Sequence, residues 1–124
     1  MKSKKNSPTI SKKEITHFFN RVLLYLGEYG WSLNLVPNSS EGYCWKTRKV
    51  IDAGENSKDI KQLIIHETAH IRTCRFCNNK HTLDFWMEFD RLKDKFLPGV
   101  EISESNKLHR QYMGNGFNRL CYGN

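Results

Sequence analysis

The chain has 124 residues, 38% hydrophobic and 27% charged, with 20 basic residues against 13 acidic and a net charge of +7. That length suits one compact domain with a core and is too short for two ordinary ones, and no apolar run reaches the length of a membrane span. A positive field of this size favours polyanions such as nucleic acid without any dedicated pocket, although it also suits a merely soluble basic protein.

Met1–Pro8 carries lysines where a signal peptide needs an apolar segment. The expected location is therefore the cytoplasm, or the nucleoid or nucleus if the protein associates with nucleic acid. In such a compartment Cys44, Cys74, Cys77 and Cys121 are expected as reduced thiols. Residues 1–10 read as a flexible basic arm, with Lys2, Lys4 and Lys5 and no acid, and residues 11–124 as a single domain.

Order begins at Ser11-Lys12-Lys13-Glu14, a capping box in which hydroxyl and carboxylate each satisfy a free N–H at a helix start. Ile15, Phe18, Phe19, Val22, Leu23 and Leu26 then recur every three or four residues as one buried stripe. Gly27 and Gly30 close that helix. Trp31–Leu35 alternates apolar and polar as a half-buried strand does, and Pro37–Gly42 breaks it. Tyr43–Trp45 and Lys49–Asp52 read as two more short strands pinched at Lys46–Arg48. The expectation is a small antiparallel sheet whose edge could accept an extended peptide.

The next helix is expected from Ser57 or Asp59 to about Thr73, and it contains His66-Glu67-Thr68-Ala69-His70. Two histidines four residues apart lie one turn apart and roughly 40° round the helix axis, so both can reach one metal ion, with Glu67 beside a water at the ion. Ile60, Ile64 and Ile71 fall on a different face, which argues against two ordinary core histidines. Catalytic zinc takes three protein ligands and keeps one open position, so a third ligand is required. A further helix from about His81 to Phe96, with Leu83, Trp86, Phe89 or Asp90, Leu92 and Phe96 on its apolar face, offers two candidates, His81 and Glu88. They stand seven residues apart on nearly one side, and position excludes neither.

His66-Glu67-x-x-His70, followed by His81-x-x-x-Phe85-Trp86 and a helix closed by Pro98, resembles the SprT-like zinc metallopeptidases and their WLM relatives. Gly42-Tyr43-Cys44 is similar to the segment that opens the strand pair ahead of the motif helix in those families. The resemblance spans about residues 11–98. It implies a zincin-like α+β domain in which the sheet packs on the first helix, the motif helix and the long helix after it. It also implies zinc as cofactor, His81 as third ligand beside His66 and His70, and cleavage of a protein or peptide substrate held near nucleic acid. Many SprT-like proteins carry a zinc ribbon after this domain, and none is legible here.

In the activity that the resemblance implies, Glu67 is the general base, and Tyr112, His109 or Tyr43 would steady the oxyanion. Two other classes compete. Cys74, Cys77 and His81 could form a structural zinc hook with Cys44 or Cys121 in a nucleic-acid-binding protein, or the domain could be an inactive zincin-like scaffold. From Gly99 onward the pattern is weak: Ser103–Tyr112 reads as a short helix with Ile102, Leu108 and Tyr112 inward, and no function is assigned to it.

Overall fold

The computed structural model describes residues 10–73 and 80–113, the last two by backbone alone. Their elements run α1 (Lys12–Leu26), β1 (Ser32–Val36), β2 (Gly42–Trp45), β3 (Val50–Gly54), α2 (Ile60–Arg72), α3 (Leu83–Phe96) and α4 (Glu104–Met113). The class is α+β, as expected. The basic arm before Ile10, the Cys74–Asn79 connector and everything after Met113 lie outside the described residues.

α1 begins as its sequence indicates, with the Ser11 hydroxyl accepting from the Glu14 N–H at 3.1 Å. Only half of the capping box forms, because the Glu14 carboxylate turns to Lys61 on α2 at 2.9 Å. Gly27 ends the helix at φ 72°, a left-handed conformation that costs glycine little. Ile15, Phe18, Phe19, Val22, Leu23 and Leu26 are all buried, so the stripe read from spacing is the face that packs on the core.

The sheet corrects the antiparallel expectation. Its order is β1-β3-β2, with β1 parallel to β3 and β2 antiparallel to it. Burial explains the arrangement: β3 carries three buried residues, Ile51, Ala53 and Gly54, and takes the centre, whereas β1 and β2 alternate towards solvent and take the edges. Residues 37–49, which contain β2, are long enough for the crossover that a parallel pair requires.

α2 is the central helix and touches α1, α3, β2 and β3. Most of it is buried, including the polar Gln62, His66, Glu67, Thr68 and His70. α3 starts at Leu83, two residues later than expected, because Thr82 is its N-cap and accepts from the Phe85 N–H at 3.2 Å. Its core face is Phe85, Trp86, Phe89 and Leu92, while Leu83 is largely exposed. Each such aromatic or leucine contributes roughly 1.5–3 kcal/mol by leaving water. α4 corrects a second expectation. Leu108 is exposed (60%), and the inward residue is the polar Asn106; the side chain of Tyr112 lies outside the described residues.

Candidate metal centre

Two parts of the chain bring three histidines to one point. α2 supplies His66 and His70 from adjacent turns, and the extended segment just before α3 supplies His81. One ring nitrogen from each lies within 4.8 Å of the others. Glu88, the other candidate third ligand, is turned away and held by Arg91 through contacts of 2.7 and 2.9 Å. Cys44 is buried beside Glu67 rather than within this group, and Cys74, Cys77 and Cys121 lie outside the described residues.

Aromatic side chains fix the rings. Phe85 stacks on His70 with centroids 4.3 Å apart and planes at 26°. Trp86 lies nearly parallel to His81 at 5.9 Å. The Phe-Trp pair that follows His81 at four and five residues therefore builds the walls against which the imidazoles rest, which gives that spacing a packing reason.

The nitrogens are poorly satisfied for ordinary core histidines. His66 Nε2 faces His81 Nε2 at 2.8 Å, an approach at which two neutral imidazoles can share one proton at most. His70 Nδ1 is buried without a hydrogen-bond partner among the described residues. Burial, reinforced by the neighbouring imidazoles, pushes His66 down to about 3 and His81 to about 4, and holds His70 well below its ordinary value. All three consequently offer neutral lone pairs at pH 7, the state a metal ion needs. Two nitrogens on one tetrahedral zinc at about 2.0–2.1 Å stand roughly 3.3 Å apart, a separation within the range this cluster spans. The donor set fits such an ion.

Glu67 is 5% exposed and belongs to the same cavity. Burial, with the negative Asp52 nearby, pushes its carboxyl up to about 8. Gly42 on β2 makes room for it: a Cβ at that position would stand 2.9 Å from Glu67 Oε2, 2.9 Å from the Asp52 carbonyl oxygen and 3.0 Å from Leu63 Cδ1. The glycine read as part of a strand opening thus sets how closely the sheet approaches the motif glutamate.

The cavity has a volume of about 770 Å³ and is lined by His66, Glu67, His70 and His81, by Ser40–Tyr43 of the sheet edge, and by Ser103–Asn106 and His109. Tyr43 and His109, two of the three residues considered for the oxyanion, line it. The sequence reading named His109 but missed Asn106 and the placement of α4 against the cavity. Asn106 is 4% exposed and its Oδ1 lies 2.6 Å from His66 Nδ1. Gln62, one turn before His66, donates to the Glu101 carbonyl at 2.7 Å and accepts from the Ser103 N–H at 2.9 Å, fastening the start of α4 to α2. From the other side Arg110 pairs with Asp90 at 2.6 Å and lies over the Trp86 ring at 4.7 Å. The available signal was Gln62 itself, an amide on a helix otherwise committed to burial.

Comparison of the chain with protein-family models, with curated proteins and with solved structures finds no match.

Proposed function

We propose that the protein is a zinc-dependent peptidase of SprT-like type, with His66, His70 and His81 as metal ligands and Glu67 as general base. The observation that carries this reading is the convergence of three neutral imidazoles and one buried carboxyl on a single cavity. A metal site serving structure alone has no need of Glu67, whose burial is costly unless the carboxyl stays protonated or finds a partner. The all-imidazole donor set, which suits zinc among several transition ions, and the resemblance support zinc as the ion.

When bound, such an ion acts as a Lewis acid that polarises a carbonyl and acidifies a water molecule. Glu67 takes the proton from the attacking water and passes it to the leaving amine nitrogen. A carboxyl held up to about 8 by burial retains that proton readily between the two transfers, while the positive charge of a nearby dication favours its ionised form beforehand. Tyr43 or His109 donates to the developing oxyanion from the cavity wall. β2 is an edge strand beside the cavity, and its free edge pairs with an extended peptide through main-chain hydrogen bonds. The net charge of +7 supports substrates held near nucleic acid, through a field that draws the enzyme towards polyanions.

Glu67→Gln tests the assignment. The amide fills the same space and cannot accept the proton, so zinc content is expected to stay at the wild-type level while cleavage of an unfolded protein substrate falls by at least 100-fold. Undiminished cleavage by the purified variant removes the hydrolytic role.

A further inference from the structure

The side chain bonded to the outer nitrogen of His66 belongs to α4, the helix whose inward face was misread from the sequence. We infer that Asn106 is a positioning residue for the metal centre: its carbonyl oxygen holds His66 in the Nδ1–H tautomer and so directs the Nε2 lone pair at the point shared with His81. This rests on the metal-site reading above and extends it to an element that supplies no ligand.

The hydrogen-bond inventory fixes the direction. Asn106 Nδ2 donates to Ser103 Oγ at 2.9 Å, which leaves Oδ1 facing His66 Nδ1 at 2.6 Å. An amide oxygen only accepts, so the proton resides on His66 Nδ1. Nε2 then carries the lone pair, and Nε2 is the atom 2.8 Å from His81 Nε2.

Asn106 is itself held in place. It is 4% exposed, its backbone N–H donates to the same Ser103 hydroxyl at 3.3 Å, and Ser103 is tied to α2 through Gln62. A chain of hydrogen bonds therefore leaves α2 at Gln62, passes through Ser103 and Asn106, and returns to α2 at His66, one turn further on. Outer partners of this kind fix ring orientation and raise ligand basicity, and their loss commonly weakens metal binding by about 10–100-fold.

Two measurements on the full chain test it. In chelator-treated wild type, long-range proton–nitrogen NMR of the histidine side chains is expected to show His66 in the Nδ1–H form; a predominant Nε2–H form overturns the inference. This readout requires neither metal nor activity. In zinc titration with a competing chelator, Asn106→Ala is expected to raise the Kd about 10–100-fold. Asn106→Asp, which keeps an oxygen acceptor at the same place, should restore it to within about threefold, since a carboxylate is a common partner of a ligating histidine. An Asn106→Ala protein that binds as tightly as wild type overturns the inference, as does an Asn106→Asp protein that binds as weakly as Asn106→Ala. A wild type that binds no zinc and yet shows the Nδ1–H tautomer sinks the metal reading and leaves the Asn106–His66 hydrogen bond standing, so the two failures are distinguishable.

Discussion

Removing metal and then lowering the pH should destabilise the fold through its own histidines. In the unfolded chain each imidazole titrates near 6.5, whereas in the fold His66 is held at about 3, His81 at about 4 and His70 well below the ordinary value. The folded values are depressed, so the unfolded state binds more protons below pH 6.5. Stability is accordingly full above that pH and declines as pH falls towards 4 and 3. Between pH 7 and 5 His66 and His81 each cost about 2 kcal/mol, or about 4 together, at roughly 1.4 kcal/mol per pH unit and proton once well below 6.5, and His70 acts in the same direction.

Glu67 acts in the opposite sense. Its folded value is raised to about 8, so its contribution is fully present below about 4.5 and is lost as pH rises through 8. Over the same window its protonated form offsets about 2 to 3 kcal/mol. The net expected loss from His66, His81 and Glu67 is therefore about 1 to 2 kcal/mol from pH 7 to 5, with His70 adding to it, against the 5–15 kcal/mol typical of a domain. Urea unfolding of chelator-treated protein at pH 7, 6 and 5 reads it directly. Added zinc should stabilise the pH 7 sample by mass action and the pH 5 sample less, because protons compete for the same nitrogens. Equal stability of the metal-free protein at pH 7 and 5 would refute the picture of three buried neutral imidazoles.

Two substitutions probe the supports of the site. Gly42→Ala places a methyl group 2.9 Å from both Glu67 Oε2 and the Asp52 carbonyl oxygen; since the carbonyl belongs to a sheet residue, Glu67 has to shift. Retained zinc, a stability loss of about 1–3 kcal/mol and peptidase activity reduced about 10-fold or more are expected, and wild-type activity would contradict the close approach. Gln62→Ala strips partners from the Glu101 carbonyl and the Ser103 N–H, at about 1–3 kcal/mol for the unpaired groups. Hydrogen exchange should speed up selectively over residues 101–110, and unchanged protection there would show that Gln62 does not fasten α4.

The sequence carried the helices through short-range rules: the apolar stripe of α1, the glycine that ends it and the His66–His70 spacing each depend on residues within one or two turns. The sheet was misjudged because β1, β2 and β3 are all short and their pairing is a long-range choice, decided by which strand carries the most buried residues. Ile51, Ala53 and Gly54 held that information, in a run too short to distinguish a central strand from half of a hairpin. His81 was separated from Glu88 by resemblance, and the structure supplies a physical reason, since Arg91 occupies the Glu88 carboxylate. α4 was legible as a helix, but its inward face was misread because the inward residue is polar: an apolar periodicity search selects Leu108 and passes over Asn106, whose burial depends on a histidine forty positions earlier in the chain.

Metal content of purified wild type, His81→Ala and Glu88→Ala, measured side by side, bears most directly on the centre. Wild type and Glu88→Ala should each carry about one zinc ion per chain, and His81→Ala should lose it. Zinc retained in His81→Ala and lost in Glu88→Ala would contradict the three-histidine site.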